Sequence, residues 1–153
     1  MMIETHQPAI FNKGKRMENK TIDMELTSKK FASIIARFLD DNKAKDIVIL
    51  NVENVCSLSD YFIIATGTST PQVKGLTETV RKKIKDLFKR IPLGEETEKQ
   101  NKWNLLDYGE VVVHIMHSEQ RETYKIEKFW SHALTLEREE WEENSKEYAK
   151  YEN

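Results

Sequence analysis

The chain has 153 residues, of which 33% are charged and 39% hydrophobic, and its formal net charge is −2. This length is typical of one domain and suffices to bury a core without disulfides or metal. The single cysteine excludes an intramolecular disulfide and a cysteine-rich zinc site, and no apolar run approaches the roughly 20 residues of a membrane-spanning helix.

The first twenty residues contain four basic and two acidic side chains and no long apolar segment. A secretory signal requires an apolar core, so this segment does not resemble one. We expect a disordered leader over residues 1–20. The low cysteine content favours a reducing compartment, with the cytoplasm as the expected location and an organelle matrix as the alternative.

Apolar residues at helical spacing predict a first helix, capped by the hydroxyl of Thr27 or Ser28. A short β-branched run at 47–52 then predicts a buried strand, and a second such run at 61–66 predicts another. The apolar stripe of the helix consists of Phe31, Ile34, Ile35, Phe38 and Leu39.

A second helix is expected after this strand, with Thr70 as its N-cap and Pro71 as its first residue. Residues 71–90 contain seven basic and two acidic side chains, a local charge of +5. A solvated basic face on an amphipathic helix is the ordinary interpretation. The alternative is a surface that binds RNA.

A polar loop over 91–102 precedes two predicted strands at 103–107 and 111–117. Only three residues separate these strands, so an antiparallel hairpin is expected. The passage from the strand at 61–66 through a helix into this hairpin predicts a crossover, and therefore a mixed sheet. Ser118 opens one more predicted helical region, whose apolar residues from Ile126 to Leu134 have helical spacing. An acidic helical tail is expected over 137–153.

Residues that often bind metals or act as nucleophiles are poorly placed for either role. His114 and His117 are three apart in a predicted strand, so their side chains point to opposite faces. Cys56 has no activating partner nearby in sequence and is expected to be structural. The Gly67–Thr70 segment fits helix capping better than phosphate binding, because no Gly-Lys-Ser/Thr sequence follows.

Metal-dependent nucleotidyl transfer requires closely spaced carboxylates that hold two cations. Asp60 stands alone before its strand, and Asp107 and Glu110 flank a turn. The carboxylate pattern of such an enzyme is therefore missing.

Three segments together resemble the ribosomal silencing factor family, also called the Iojap-related family. They are 59–69 (SDYFIIATGTS), 103–114 (WNLLDYGEVVVH) and 121–130 (RETYKIEKFW). Their order and spacing agree with the family over roughly residues 27–135. One departure is Thr97 after Glu96, where members of the family usually have glycine.

The resemblance implies a ribosomal silencing factor domain over residues 21–136. The expected fold is α+β, a single domain with a mixed β-sheet flanked by helices, nucleotidyltransferase-like without the catalytic carboxylates. The implied function is not enzymatic, and no cofactor or metal is expected. Such proteins bind the large ribosomal subunit through ribosomal protein fourteen, block association with the small subunit and so repress translation.

The resemblance also implies a role in large-subunit maturation, a homodimer in the free state, and neither membrane nor DNA as a partner. By its position at the start of a strand, Trp103 is either a core residue or an exposed anchor. The resemblance implies that Trp103 and Tyr108 are anchors, because interface hot spots favour aromatic residues, and that the acidic contact residues meet basic partner residues. Arg121 has a second interpretation, in which it holds the last helix on the sheet together with Glu127 and Trp130. The full predicted contact set is Asp60, Thr68, Ser69, Trp103, Asp107, Tyr108, Glu110, Arg121 and Tyr124.

Two other classes of function stay open on the sequence. One is an active nucleotidyltransferase that uses Gly67–Thr70 and Asp60. The other is a protein that binds RNA directly through the basic helix at 74–90.

Overall fold

The helices and strands follow the hydrophobic pattern of the chain. The computed structural model describes residues 26–151, so the leader expected over 1–20 lies outside the described residues. The elements are α1 (Ser28–Asp41), β1 (Lys45–Asn51), β2 (Tyr61–Gly67), α2 (Thr70–Phe88), β3 (Gly94–Glu96), β4 (Trp103–Asp107), β5 (Val111–His117), α3 (Ser118–Tyr124), α4 (Ile126–Phe129), β6 (Leu134–Leu136), α5 (Arg138–Asn144) and a final 3-10 helix (Lys146–Tyr151).

Six strands form one sheet in the order β3-β4-β5-β2-β1-β6. Strands β2 and β5 are parallel, and every other neighbouring pair is antiparallel. The predicted α+β fold with a mixed sheet is confirmed, as is the β4–β5 hairpin. The crossover from β2 reaches its parallel partner β5 only after the chain has passed through α2, β3 and β4.

Both long helices begin with a hydroxyl cap. The Thr27 side chain accepts a hydrogen bond from the Lys30 backbone N–H at 3.1 Å, as predicted. At α2 the cap is Ser69, which accepts from the Gln72 N–H at 3.2 Å, so the expectation of Thr70 is one residue late. Thr70 is already the first helical residue, and Pro71 is tolerated within the first turn because its missing N–H has no helical partner there.

Helices α1 and α2 cover one face of the sheet, which we call the helix face. Alternate residues of the central strands point to it, such as Ile63 on β2 and Val113 on β5, and both are fully buried. Phe31 of α1 is also fully buried and contacts the rings of Phe88 and Tyr108 edge-on at 6.1 and 5.4 Å. This face holds the main hydrophobic core.

The acidic segment after β6 packs on α1. Trp141 of α5 is only 2% exposed and belongs to the core of the helix face. The Arg37 guanidinium donates hydrogen bonds to the Ser145 hydroxyl at 2.9 Å and to the Glu142 carbonyl at 3.0 Å. These contacts tie α5 to the domain despite its charge.

The expectation of one helical region that opens at Ser118 and continues to Leu134 is wrong in part. Lys125 has a left-handed backbone (φ 44°), which ends α3 and begins the four-residue helix α4. Leu134 then starts β6, which pairs with β1. Phe129 and Leu134 are 80% and 70% exposed, so the helical spacing of the apolar residues does not mark one buried stripe.

The loop expected over 91–102 contains the short strand β3, which pairs with β4. Backbone pairing at the free edge of β4 explains this strand, since residues 94–96 have no apolar side chain to bury.

Candidate functional site

Within residues 26–151, the short helices α3 and α4 and the turn that follows them cover the second face of the sheet, and we call it the open face. The strand residues that alternate with those of the helix face point here. A second apolar cluster therefore lies on this side, with Ile126 of α4 packed onto it. Its strand members are Val48, Leu50, Phe62, Ile64, Trp103, Leu105, Val112 and Met116, and Val52 directly follows β1.

Five aromatic side chains run in contact across the open face, and we call them the aromatic row. The ring centroids of Trp130 and Phe62 are 4.9 Å apart, and those of Phe62 and His114 are 5.7 Å apart. The row continues from His114 to Trp103 at 6.0 Å and from Trp103 to Tyr124 at 5.1 Å. It joins β2, β5 and β4 to the segment that covers them.

One end of the row is accessible from solvent. Tyr124 is 51% exposed and Trp103 is half-buried, and the neighbouring Phe129 is 80% exposed. Exposed aromatic side chains beside an apolar sheet face are typical of protein-binding surfaces. This end of the open face is therefore the candidate docking surface.

Arg121 attaches α3 to the sheet. Its guanidinium donates to the Glu127 carboxylate at 2.8 and 2.9 Å and to the Thr66 hydroxyl at 2.6 Å. Burial is the largest single effect and raises the pKa of Glu127. The hydrogen bonds from Arg121 and from the Glu127 backbone, together with the positive charges of Arg121 and Lys125, outweigh it, so the net pKa of this carboxyl is lowered. Of the two interpretations of Arg121, its contacts favour the one in which it holds the covering segment in place.

Replacing Arg121 with alanine is expected to lower the free energy of unfolding by about 1.5–3 kcal/mol, because it removes partly buried charge-assisted hydrogen bonds. Amide hydrogen exchange over residues 118–130 should accelerate. Urea unfolding and exchange measurements check both effects. Lys82→Ala, which breaks the exposed ion pair with Asp86, is the control and should cost no more than about 0.5 kcal/mol. Equal losses in the two variants would contradict the attachment role.

His114 is kept neutral by its surroundings. Burial among the rings lowers its pKa to about 4 from the ordinary 6.5. The unfolded chain therefore binds more protons than the folded one between these values, and stability should fall as pH decreases through this range.

We expect protonation of His114 to lower the free energy of unfolding by at most about 2 kcal/mol between pH 7 and pH 5. This is an upper limit because the imidazole keeps some solvent contact. Comparing urea unfolding of the wild type with His114→Leu at the two pH values isolates this part. A variant with the same pH dependence as the wild type would contradict it.

Four of the predicted contact residues lie at the end of the sheet where β2 and β5 begin. Tyr108 is only 1% exposed and packs on Phe31 in the main core, so its ring is not available as an anchor. Asp107 is 7% exposed and accepts a hydrogen bond from the Gly109 N–H at 2.8 Å. Gly109 has φ 96°, a conformation that suits glycine, so Asp107 stabilises the hairpin turn.

The other two residues at this end, Asp60 and Glu110, are half-buried. The Asp60 backbone N–H donates to the Glu110 carbonyl at 2.9 Å. The Glu110 carboxylate accepts two hydrogen bonds from Arg90, at 2.8 and 2.9 Å. Glu110 is therefore occupied within the domain, and Asp60 remains beside it at the surface.

Thr68 and Ser69 lie at the opposite end of the seven-residue strand β2. At about 3.3 Å per residue, Thr68 is about 26 Å from Asp60 along the chain. The Thr68 N–H and hydroxyl both donate to the Gln72 side chain, at 2.7 and 3.0 Å. Ser69 caps α2. These local hydrogen bonds agree with capping as the role of the segment.

The structure thus separates the predicted contact set. Trp103 and Tyr124 come into contact on the open face. Tyr124 ends α3, the helix that Arg121 attaches to the sheet. The sequence prediction missed Phe62 and His114, which share this face. Strand alternation is the signal that finds them, because both lie on the same side of the parallel pair β2–β5.

No three His, Cys, Asp or Glu side chains within residues 26–151 are grouped to hold a metal ion. His114 lies in the aromatic row, whereas His117 caps α3 by accepting from the Glu119 N–H at 3.2 Å. In the same part of the chain, no helix is long and apolar enough to cross a membrane.

Comparison with known proteins decides the family. A family model described as "Ribosomal silencing factor during starvation" matches residues 25–153. The chain belongs to the ribosomal silencing factor family. The expected resemblance is confirmed, and the match includes α5 as well as the three motifs.

Individual relatives agree with this membership of the ribosomal silencing factor family. The chain is 32% identical over 112 residues to Ribosomal silencing factor RsfS of Halalkalibacterium halodurans, covering 73% of this chain and 95% of that protein. It is also 32% identical over 100 residues to "Mitochondrial assembly of ribosomal large subunit protein 1" of Mus musculus, covering 64% of this chain and 44% of that protein.

A solved structure supports the fold of this member of the ribosomal silencing factor family. The crystal structure of a protein from Chromobacterium violaceum is similar with a TM-score of 0.66 and 35% identity, covering 69% of this chain and 88% of that chain.

Proposed function

We propose that the protein binds the large ribosomal subunit through ribosomal protein fourteen and sterically prevents association with the small subunit. Translation is repressed as a consequence, without catalysis or a cofactor. Membership of the ribosomal silencing factor family supports a role at the ribosome. The name of the mouse relative refers to assembly of the large subunit, which favours that subunit as the partner and allows a role in its maturation.

The observation that carries this proposal is the accessible end of the aromatic row. Trp103 and Tyr124 form a rigid pair of amphipathic rings at the edge of an apolar sheet face. Such rings are the side chains that most often dominate binding energy in protein interfaces. We assign them as the anchors for the ribosomal protein.

Charged and polar residues at the two ends of β2 complete the proposed contact. A standard interface buries roughly 800 Å² on each partner, and a patch of that size covers the length of β2. Asp60 at one end and Thr68 at the other are then rim contacts. The slightly acidic chain, with net charge −2, suits a basic ribosomal protein.

Sedimentation of purified ribosomal subunits tests the proposal directly. The protein is expected to comigrate with the large subunit in a sucrose gradient and to decrease the peak of joined ribosomes in proportion to occupancy. Undiminished joining at saturating occupancy would overturn the steric mechanism. Comigration with the small subunit alone would overturn the choice of partner.

We also propose that the protein is a homodimer when free and acts in the cytoplasm. The exposed rings of Tyr124 and Phe129 at the edge of the open face give a second copy an apolar surface to cover in the absence of the ribosome. Light scattering at increasing concentration checks the first part, and a monomer at every concentration would contradict it.

A further inference from the structure

Within the aromatic row, one hydrogen bond connects two rings directly. The Trp103 indole Nε1–H donates to His114 Nδ1 at 3.1 Å. The imidazole is in turn held edge-on against the Phe62 ring, with 69° between the ring planes. His114 therefore links the exposed end of the row to its buried part.

The strand register produces this contact. In the antiparallel pair β4–β5, Leu105 is opposite His114 and Trp103 is opposite Met116. Trp103 and His114 are thus diagonal neighbours on one face, a separation that aromatic side chains can bridge. The backbone places both rings before any partner is present.

The hydrogen bond also limits how Trp103 can meet a partner. Because the indole N–H points to His114, only the ring face and its apolar edge remain for an interface. An indole held in one rotamer loses less conformational freedom on binding than a mobile one, which favours affinity.

We propose that His114 is a positioning residue for the ribosomal contact. Its Nδ1 atom holds the Trp103 indole in one orientation beside Tyr124, so that the partner packs on the indole surface and does not hydrogen-bond its N–H. This inference rests on the proposed function, since it specifies how the same surface is arranged.

A double-mutant cycle on the full chain tests the proposal, with purified large ribosomal subunits as the binding probe. His114→Leu is expected to weaken binding about fivefold to tenfold when Trp103 is present. In a Trp103→Phe background, which has no indole N–H, His114→Leu should weaken binding less than twofold. His114→Asn, which keeps an acceptor near the position of Nδ1, should recover most of the loss.

The control is His132→Leu, which changes an exposed histidine outside the row and should leave binding unchanged. Equal weakening by His114→Leu in both backgrounds would show a merely structural role and overturn the proposal. No weakening in either background would also overturn it.

A measurement without the ribosome separates this inference from the proposed function. Hydrogen exchange of the Trp103 indole N–H, followed by nitrogen-15 NMR, is expected to be slow in the wild type and at least tenfold faster in His114→Leu. If exchange is unchanged, the positioning role fails even if subunits bind. If exchange responds but the wild type binds no subunit, the proposed function fails and the positioning of Trp103 stands.

Discussion

Replacing Trp103 with alanine is expected to weaken binding to the large ribosomal subunit by roughly 2 kcal/mol or more, a factor of about 30. The indole is half-buried and lies between His114 and Tyr124, where its removal leaves a gap at the accessible end of the aromatic row. Titration of fluorescently labelled protein with purified large subunits measures the affinity. Urea unfolding shows whether the variant remains folded.

Leu134→Ala is the matched control for Trp103→Ala. Leu134 is a large apolar residue with 70% exposure that lies outside the aromatic row, so its loss should leave the affinity unchanged. A folded Trp103→Ala variant that binds as tightly as the wild type would rule out the anchor role. A similar loss from Leu134→Ala would indicate a nonspecific dependence on surface hydrophobicity.

Replacing Trp141 with alanine is expected to lower the free energy of unfolding by about 3–5 kcal/mol, as for other large aromatic residues removed from a core. Trp141 is 2% exposed and packs into the main core on α1, and Arg138 lies over its ring at 4.7 Å. Urea unfolding followed by circular dichroism gives the free energy.

This change also tests where the domain ends. If residues 137–153 formed a tail separate from the domain, Trp141→Ala would cost less than about 1 kcal/mol, the size of ordinary surface effects. Glu139→Ala, in the exposed part of the same helix, is the control and should cost no more than about 0.5 kcal/mol. We propose from the burial of Trp141 that α5 unfolds together with the sheet.

The local pattern of apolar residues was sufficient to predict several helices and strands. The bounds of β4 and β5 agree with the prediction at both ends, and α1 begins after its expected cap at Thr27. Helix α1 has apolar residues at helical spacing, whereas β5 is buried on both faces and appears in the sequence as a short, nearly continuous apolar run. The family motif at 103–114 lies on β4 and β5, whereas the motif at 59–69 lies on β2 and the motif at 121–130 lies on α3 and α4.

The region after Ser118 could not be predicted in this way. Its apolar residues have helical spacing, but Lys125 breaks the helix and Leu136 pairs with Ile49 on β1. A three-residue strand depends on a partner about 85 residues away in the chain, and local propensity carries little information about such a contact.

The sequence by itself determined that the protein is a single α+β domain with a mixed sheet, and that it carries the motifs of the ribosomal silencing factor family. Only the tertiary structure decided which motif residues are accessible. Tyr108 and Trp103 are both aromatic residues of one motif, yet five positions along the extended chain place them on opposite faces of the sheet. The helix face is covered by α1 and α2, which buries Tyr108, whereas the shorter cover of the open face leaves Trp103 at its edge.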